Sequence, residues 1–240
     1  MSFLRKLHKW LGLIVAVQLI LWTISGAMFA WLDHHEVSGE HRVAPRAAAT
    51  LQNVESLVEP QQWLHAYASE ELRAVRLSRL AGRLVWRVET ANHVELRDAA
   101  SGELLSVDAQ MVRRLAQSHY AGPAEPAAIE FHAQGTMEAR RAEVVWSAHF
   151  DDDAGTTLYF AAEDGRFVVA RTDAWRLFDF FWMLHTMDYR ERDDFNHPLI
   201  VLMATGALWL AISGILLLTQ SFRARDVAEL GALIGIRRKA

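Results

Sequence analysis

The chain has 240 residues, of which 52% are hydrophobic and 22% are charged, a composition too apolar for a disordered protein. It contains no cysteine, which excludes disulfides, thiolate zinc sites, iron–sulfur clusters and cysteine nucleophiles. The formal net charge of −4 gives no indication of nucleic-acid binding.

Two uncharged stretches predict membrane-spanning helices over residues 10–32 and 195–221. Each is long enough to cross a hydrocarbon core of about 30 Å at 1.5 Å per residue. The first is too long for the apolar part of a cleaved signal peptide, so we interpret it as a retained anchor. A pair of buried helices in a soluble protein is the alternative.

The charges predict an orientation for these helices. Residues 1–32 carry three basic and no acidic side chains, residues 33–194 carry 17 arginines against 27 acids, and residues 195–240 carry five basic against two acidic side chains. Basic segments stay on the cytoplasmic side of a membrane. We therefore expect residues 1–9 and the basic tail 222–240 in the cytoplasm of a bacterium, with residues 33–194 on the periplasmic or extracellular side of its inner membrane.

The region between the spans contains a weak internal repeat. After a linker over 33–52, one copy covers 53–107 and the second covers 108–172, and each is predicted as helix, three strands, glycine turn and strand. The predicted helices lie at 54–59, 61–72 and 109–120. The predicted strands lie at 74–77, 83–88, 93–98 and 104–105 in the first copy, and at 127–132, 142–150, 156–160 and 167–169 in the second. An aromatic interfacial helix and loop are expected over 173–194.

The segments at 6–12 (KLHKWLG) and 182–186 (WMLHT) resemble the membrane helices of PepSY-associated transmembrane proteins, and the repeats resemble PepSY domains. The resemblance implies an α+β membrane protein, with two transmembrane helices flanking an external domain of two PepSY-like helix-plus-antiparallel-sheet repeats. Larger relatives are linked to siderophore-iron reduction, and some are thought to bind haem. This chain departs from them because it has only two predicted spans.

Four histidines near the predicted membrane are candidate ligands of haem b. On an ideal helix, His8 and His34 share one face of the first span with small residues, and His197 shares a small-residue face of the second. Small residues leave room for a flat macrocycle, and two neutral imidazoles on opposite sides of the iron complete a haem site.

Two pairs of ligands remain open. Helix geometry favours His34 and His197, which with His185 could converge as haem-iron ligands at the external boundary. The family resemblance favours His8 and His185. His8 and His34 would lie about 39 Å apart on a continuous helix, so one haem cannot use both. Small-residue faces that serve only helix packing, with incidental histidines, are the alternative.

Other polar clusters carry weaker predictions. Histidines and glutamates at 34–36 and 40–41 have a pattern that allows divalent-metal binding, although a polar linker is the favoured interpretation. The acidic run 151–155 is interpreted as a hairpin turn, because it lacks the spacing of a calcium loop. The sequence contains no nucleotide-binding or hydrolase motif.

These observations lead to two main hypotheses. The first is haem-linked electron transfer across the membrane, with the chain as one component of a ferric or siderophore-iron reductase. A homodimer or a partner membrane subunit would complete the helix bundle. The second is a non-enzymatic PepSY module that binds, assembles or regulates a larger membrane complex. In both, membrane lipid surrounds the spans and no nucleic acid is bound.

Overall fold

The computed structural model describes residues 2–45, 57–140, 144–190, 192 and 194–221. Within these ranges the protein is a mixed α+β structure with two long apolar helices and two antiparallel four-stranded sheets. The chain divides into two compact units, which we call the helical unit (Met1–Trp31 with Asp179–Ala240) and the sheet unit (Leu32–Phe178). Of the predicted helix over 54–59, residues 54–56 lie outside the described residues and residues 57–59 are not helical. The basic tail 222–240 also lies outside the described residues.

The two long helices are α1 (Ser2–Trp31) and α6 (Pro198–Ser221). Both are long and apolar enough to cross a membrane, with mean hydropathies of 2.1 over the window in α1 and 2.3 over that in α6. Only 17% of the first window and 6% of the second is buried. A core helix of a soluble protein would bury its apolar side chains, whereas Ile20 and Leu202 are 58% and 67% exposed.

Gly12 of α1 and Gly206 of α6 lie in the contact between these two helices, where an added Cβ atom would be at ordinary van der Waals distance from the other helix. A Cβ atom on Gly206 would lie 3.4 Å from Val15 Cγ2, and one on Gly12 would lie 3.8 Å from Leu210 Cδ2. The partners run in opposite directions along the chain, so the helices are antiparallel. Part of the predicted small-residue face therefore serves helix packing.

The first sheet is a meander of β1 (Leu72–Leu80), β2 (Arg83–Thr90), β3 (Val94–Asp98) and β4 (Leu104–Leu105). The turn between β1 and β2 consists of Ala81 and Gly82, with φ values of 48° and 82°. Two successive positive φ values are typical of the tight hairpin turns that match the twist of paired strands. The predicted order of strands in this copy is confirmed.

The predicted helix over 61–72 is much shorter in the structure. Helix α3 (Gln61–Leu64) is followed by one 3-10 turn (His65–Tyr67), and β1 already begins at Leu72. This single turn is enough to bury Trp63 and Tyr67 against Val88 of β2. Residues 68–70 then form a turn, and only Leu72 of the predicted helix joins β1, where it pairs with Thr90 of β2.

The second copy begins with α4 (Ala109–His119), whose first turn is capped by Asp108 accepting a 2.7 Å hydrogen bond from Met111 N. The sheet that follows contains β5 (Ala128–His132), β6 (Val145–His149), β7 (Thr157–Ala161) and β8 (Phe167–Arg171). Helix α5 (Asp173–Thr186) then leads from the sheet unit into the helical unit. The predicted helix and strand order of this copy is also confirmed.

The two copies share one hydrophobic core. Leu115 of α4 lies in the same cluster as Val85 and Leu96 from the first sheet and Leu158 and Phe160 from the second. All five side chains are at most 3% exposed. The copies are therefore one packed unit rather than two independent modules, which agrees with the division of the chain.

Replacing Leu158 with alanine should destabilise the sheet unit by about 2–5 kcal/mol, because the side chain is fully buried and its removal leaves a cavity. Urea denaturation of the detergent-purified chain, followed by circular dichroism, measures the change. The matched control is Leu104→Ala, at a residue 63% exposed, which should change stability by less than about 0.5 kcal/mol. Equal effects of the two changes would contradict a shared core at this position.

Candidate functional site

The C-terminal end of α5 is capped by side chains from α1 and from the loop before α6. Leu184 O accepts a hydrogen bond from Gln18 Nε2 at 3.2 Å, and His185 O accepts one from Trp22 Nε1 at 2.7 Å. Thr186 O accepts a third from His197 Nε2 at 3.0 Å. The last carbonyls of a helix have no partner within that helix, so these donors satisfy groups that would otherwise be orphaned.

One stripe of α1 contacts both of its neighbours in turn. Its N-terminal part, including Val15, packs on α6, and the next turns, from Gln18 to Ser25, contact the end of α5. Gln18 lies about 20 Å along the axis from Trp31, at the end of α1. The final turns of the predicted interfacial helix therefore run beside the middle of the first predicted span.

His185 is held by a buried serine on α1. Ser25 is 0% exposed, and its hydroxyl donates to Leu21 O at 2.7 Å. A hydroxyl has one hydrogen, so its oxygen acts as the acceptor for His185 Nδ1, 2.8 Å away. This arrangement assigns the hydrogen to Nδ1 of a neutral imidazole and leaves a lone pair on Nε2.

His8 forms the same kind of pair with α6. Its Nδ1 lies 2.7 Å from Ser213 Oγ, and the Ser213 hydroxyl donates to Leu210 O at 3.2 Å. Because the one hydrogen of the Ser213 hydroxyl is donated to Leu210 O, His8 donates from Nδ1 to the Ser213 oxygen. In the part of the chain that the structure describes, neither His8 Nε2 nor His185 Nε2 has a hydrogen-bond partner.

The two histidine–serine pairs lie at different levels of α1. One is at residue 8 and the other at Ser25, which places them about 25 Å apart along the helix axis. A single macrocycle cannot bridge that distance. The structure therefore offers two separate candidate ligand positions, one for each histidine that the family resemblance favours.

His197 has a structural partner for each ring nitrogen. Its Nε2–H donates to Thr186 O, and its Nδ1 accepts from Leu199 N at 3.3 Å. The side chain thereby closes the loop between α5 and α6 and caps the first turn of α6. To bind a metal it would have to give up one of these bonds.

His34 is not part of the face that carries His8. Helix α1 ends at Trp31, Asp33 accepts from His35 N at 2.9 Å, and a short new helix, α2 (His34–Ser38), begins. The ideal-helix prediction assumed one continuous helix, which the N-cap interrupts. His34 is exposed and belongs to the sheet unit, whereas His185 and His197 lie in the helical unit.

The polar cluster around α2 contains contacts but no complete metal site. His41 Nε2 lies 3.3 Å from Glu36 Oε2, and the rings of His35 and His41 are 5.0 Å apart. Among the described residues, no group of three or more histidine, cysteine, aspartate or glutamate side chains could hold a metal ion.

The acidic run 151–155 forms the turn between β6 and β7, as predicted. Asp152 accepts hydrogen bonds from Tyr120 Oη at 2.7 Å and from Thr156 Oγ1 and N at 2.6 and 2.8 Å, and Arg42 Nη1 lies 3.6 Å away. Burial acts to raise the pKa of Asp152, but the bonds from Thr156 and Tyr120 and the charge of Arg42 outweigh it and lower the pKa. Burial, followed by the bond to Asp152, raises the pKa of Tyr120 to about 12.

Asp152→Asn should lower the free energy of unfolding at pH 7 by about 1–3 kcal/mol, because it removes a buried, fully bonded carboxylate. A carboxyl whose folded-state pKa is depressed stabilises the fold above its ordinary pKa, and the effect is lost as the pH falls through the folded-state pKa. The difference from the unaltered chain should therefore shrink below about pH 4. Urea titrations at several pH values test this, with exposed Asp151→Asn as the control; a pH-independent difference would contradict it.

Gln18→Leu should destabilise the helical unit by about 1–2 kcal/mol, because Leu184 O loses its donor at a place where Gln18 is buried. Thermal unfolding of the detergent-purified chain measures the loss. The matched control is Thr23→Val, since Thr23 is exposed and bonds only to Leu19 O of its own helix. An equal melting temperature for both variants would contradict a capping role for Gln18.

The sequence search for site residues found the histidines but missed the groups that orient them. Gln18, Ser25 and Ser213 are polar residues in otherwise apolar spans, and such residues usually have a specific role in a membrane. That signal was present in the sequence, although it does not name the partners. Comparison of the chain with protein-family models, curated proteins and solved structures finds no match. The resemblance to PepSY proteins therefore stays a prediction.

Proposed function

We propose that this chain is a PepSY-type membrane protein that binds haem b through His8 and His185 and transfers electrons across the membrane in siderophore-iron reduction. The observation that carries the proposal is the pair of imidazoles, each held at Nδ1 by a serine and each with no described hydrogen-bond partner on Nε2. The siderophore link is the part that rests on the family resemblance alone.

The chemistry of these two histidines fits a haem ligand. An axial imidazole binds iron through a neutral ring nitrogen, and its other nitrogen is usually held by a hydrogen-bond acceptor. Ser25 and Ser213 act as those acceptors, so the rings are oriented without being protonated twice. When bound, haem would supply one-electron chemistry that no side chain of this cysteine-free protein supplies.

Aromatic side chains surround both candidate ligands. The ring of Phe29 lies 5.4 Å from that of His185, and the ring of Trp22 lies 6.3 Å from it. The ring of Trp209 lies 6.4 Å from that of His8. These side chains keep water from the imidazoles and make the surroundings apolar, which is one of the ways in which a protein sets a haem potential.

The proposed sites require another polypeptide. Each level of α1 carries one histidine with an available lone pair, whereas bis-imidazole ligation needs two. A homodimer or a partner membrane subunit would supply the second ligand and cover exposed apolar faces of α1 and α6. The role of His197 in this proposal is to close the loop before α6, and His34 remains an exposed residue of the sheet unit.

The proposed orientation has both termini in the cytoplasm of a bacterium and residues 33–194 outside its inner membrane. Support comes from the exposed basic residues Arg5, Lys6 and Lys9 at the start of α1 and from the acidic balance of the region between the spans. In this orientation His8 lies toward the cytoplasm and His185 toward the outside. The separation of about 25 Å between their levels suits electron transfer through the bilayer.

A non-enzymatic binding or assembly role is the second candidate. Strand β1, with nine residues, lies at the edge of its sheet, and β5 lies at the edge of the other. In the described ranges, no strand pairs with the outer side of either edge. Such edges accept a strand from another protein.

The decisive experiment is the visible spectrum of the full chain, expressed with added haem, purified in detergent and recorded before and after dithionite. We expect a Soret shift and sharp α and β bands, and loss of part of the haem on His8→Ala and on His185→Ala. The matched control is His34→Ala, which should retain all the haem because His34 is exposed and lies in the other unit. Ser25→Ala should keep haem but shift its reduction potential.

Light scattering of the same preparations tests the need for a second polypeptide. We expect a dimer of the haem-loaded chain. A colourless preparation, or full haem retention in both His8→Ala and His185→Ala, would overturn the proposal and favour the binding role.

A further inference from the structure

Helices α1 and α6 pack in one constant antiparallel register. A Cβ atom on Gly206 would lie 3.4 Å from Val15 Cγ2, and His8 Nδ1 lies 2.7 Å from Ser213 Oγ. These two contacts are separated by seven residues on either helix. Since both helices rise by about 1.5 Å per residue, a level along one helix corresponds to a defined level along the other.

This register places the start of α6 well before the end of α1. Pro198, the first residue of α6, precedes Gly206 by eight residues, and Thr23 follows Val15 by the same number. Helix α6 therefore begins at the level of Thr23. Helix α1 continues to Trp31, which lies about 12 Å further along the axis.

The chain that leads into α6 at this level is highly charged. Six of the seven residues over 188–194 carry a charge. His197 Nε2 donates to Thr186 O at 3.0 Å, which ties this charged loop to the end of α5. Trp22 Nε1 donates to His185 O at 2.7 Å, so the end of α5 lies beside α1 close to the level where α6 begins. Charged side chains are costly in hydrocarbon, so the charged loop marks the place where hydrocarbon ends.

The uncharged composition of α1 alone places this boundary further out, at residue 32. With hydrocarbon up to that residue, the start of α6 and the charged loop would lie about 12 Å inside the bilayer. The last turns of α1 have a protein partner that accounts for their apolar character. The ring of Phe29 lies 6.1 Å from that of Trp182 and 5.4 Å from that of His185, both on α5. Apolar residues at this end of α1 therefore do not require lipid around them.

The opposite boundary agrees with this shorter span. Arg5, Lys6 and Lys9 are exposed near the start of α1, and Arg5 lies twenty residues before Ser25. Twenty residues of helix span about 30 Å, which is the thickness of the hydrocarbon core. Lysine side chains within this length reach water by extending along the helix. Tyr189 in the charged loop is 50% exposed, which is typical of tyrosine where hydrocarbon meets water.

We infer that lipid covers α1 only as far as about Ser25, and that its last turns, over 26–31, stand outside the hydrocarbon together with the charged loop. The surface that contacts lipid is then the exposed apolar surface of α1 before Ser25 and of α6 after Pro198. His185, which is bonded to Ser25, lies at the outer boundary. The inference rests on the proposed membrane crossing, but it does not depend on haem.

The test uses single cysteines, because the chain contains none of its own. Ala27→Cys and Ala30→Cys, at the outer end of α1, and Ala204→Cys, in α6, all replace exposed alanines. Ala204 precedes Gly206 by two residues, which places it level with Val17 and inside the inferred hydrocarbon. The full chain carrying each change is reconstituted into vesicles of phosphatidylcholine and phosphatidylglycerol. A negatively charged maleimide is then supplied on both sides of the bilayer.

The rate of labelling reports whether each thiol meets water. A thiol reacts as its thiolate, which hydrocarbon disfavours. We expect Ala27→Cys and Ala30→Cys to react at least about tenfold faster than the matched control Ala204→Cys. Denaturation in dodecyl sulfate should make the three rates equal, and circular dichroism of the vesicles verifies that the variants are folded.

Two outcomes would overturn the inference, and they differ in what they imply for the proposed function. Equal protection of Ala27→Cys and Ala204→Cys would place the boundary beyond residue 27 and leave the membrane crossing in place. Equally fast reaction of all three variants would remove the membrane crossing as well. The haem spectrum of the same samples tests the ligand assignment separately.

Discussion

The end of α5 beside α1 is the constraint on which the helical unit depends. The last carbonyls of a helix have no partner within that helix, and a buried carbonyl left without a donor costs about 1–3 kcal/mol. Gln18 and Trp22 from α1 and His197 from the loop before α6 supply those donors. The bonds from Gln18 and Trp22 fix the rotation of α1 about its axis, because both residues lie on the same face of that helix. The same rotation brings the Ser25 hydroxyl within hydrogen-bond distance of His185 Nδ1.

The two serines convert ordinary histidines into candidate ligands. A histidine in an apolar span that lacked an acceptor would have no preferred tautomer, and either nitrogen could turn toward any donor nearby. Ser25 and Ser213 give their own hydrogens to backbone carbonyls, so each can only accept from the imidazole. The chain thus defines which nitrogen is available without using a carboxylate, whose burial in a membrane would be costly.

Much of the fold was predictable from local patterns, and the site was predictable only in part. The strands of both sheets follow from alternating apolar residues and glycine turns, and α4 follows from its amphipathic pattern and the Asp108 cap. The extent of the helix near Gln61 was not predictable, because a helical pattern does not show that one turn already buries Trp63 and Tyr67 and that the chain then turns toward β1.

The candidate ligands show the same limit. His8 and His185 stand out as histidines at the ends of apolar segments, but their serine partners are distant in sequence and become visible only when helices are packed. The prediction that His34 lies on the first span was wrong. Helix α1 ends at Trp31, and Asp33 caps the start of a separate helix, α2, to which His34 belongs. His197 looked like a ligand because its capping bonds involve a carbonyl of α5 that no local pattern identifies.

The face of α1 that carries Val15, Gln18 and Ser25 determines how α6 and the end of α5 pack on this helix. Gly12 and Val15 contact α6, and Gln18, Trp22 and Ser25 form hydrogen bonds with the end of α5, so the packing of both partners depends on the angular positions of these residues on one helix. Inserting a single residue between Val15 and Gln18 would turn one half by about 100° relative to the other. After such an insertion, the end of α5 would face apolar side chains of α1 at the place where its last carbonyls need hydrogen-bond donors. The phase of α1, more than its apolar composition, is therefore what natural variants of this chain are constrained to keep.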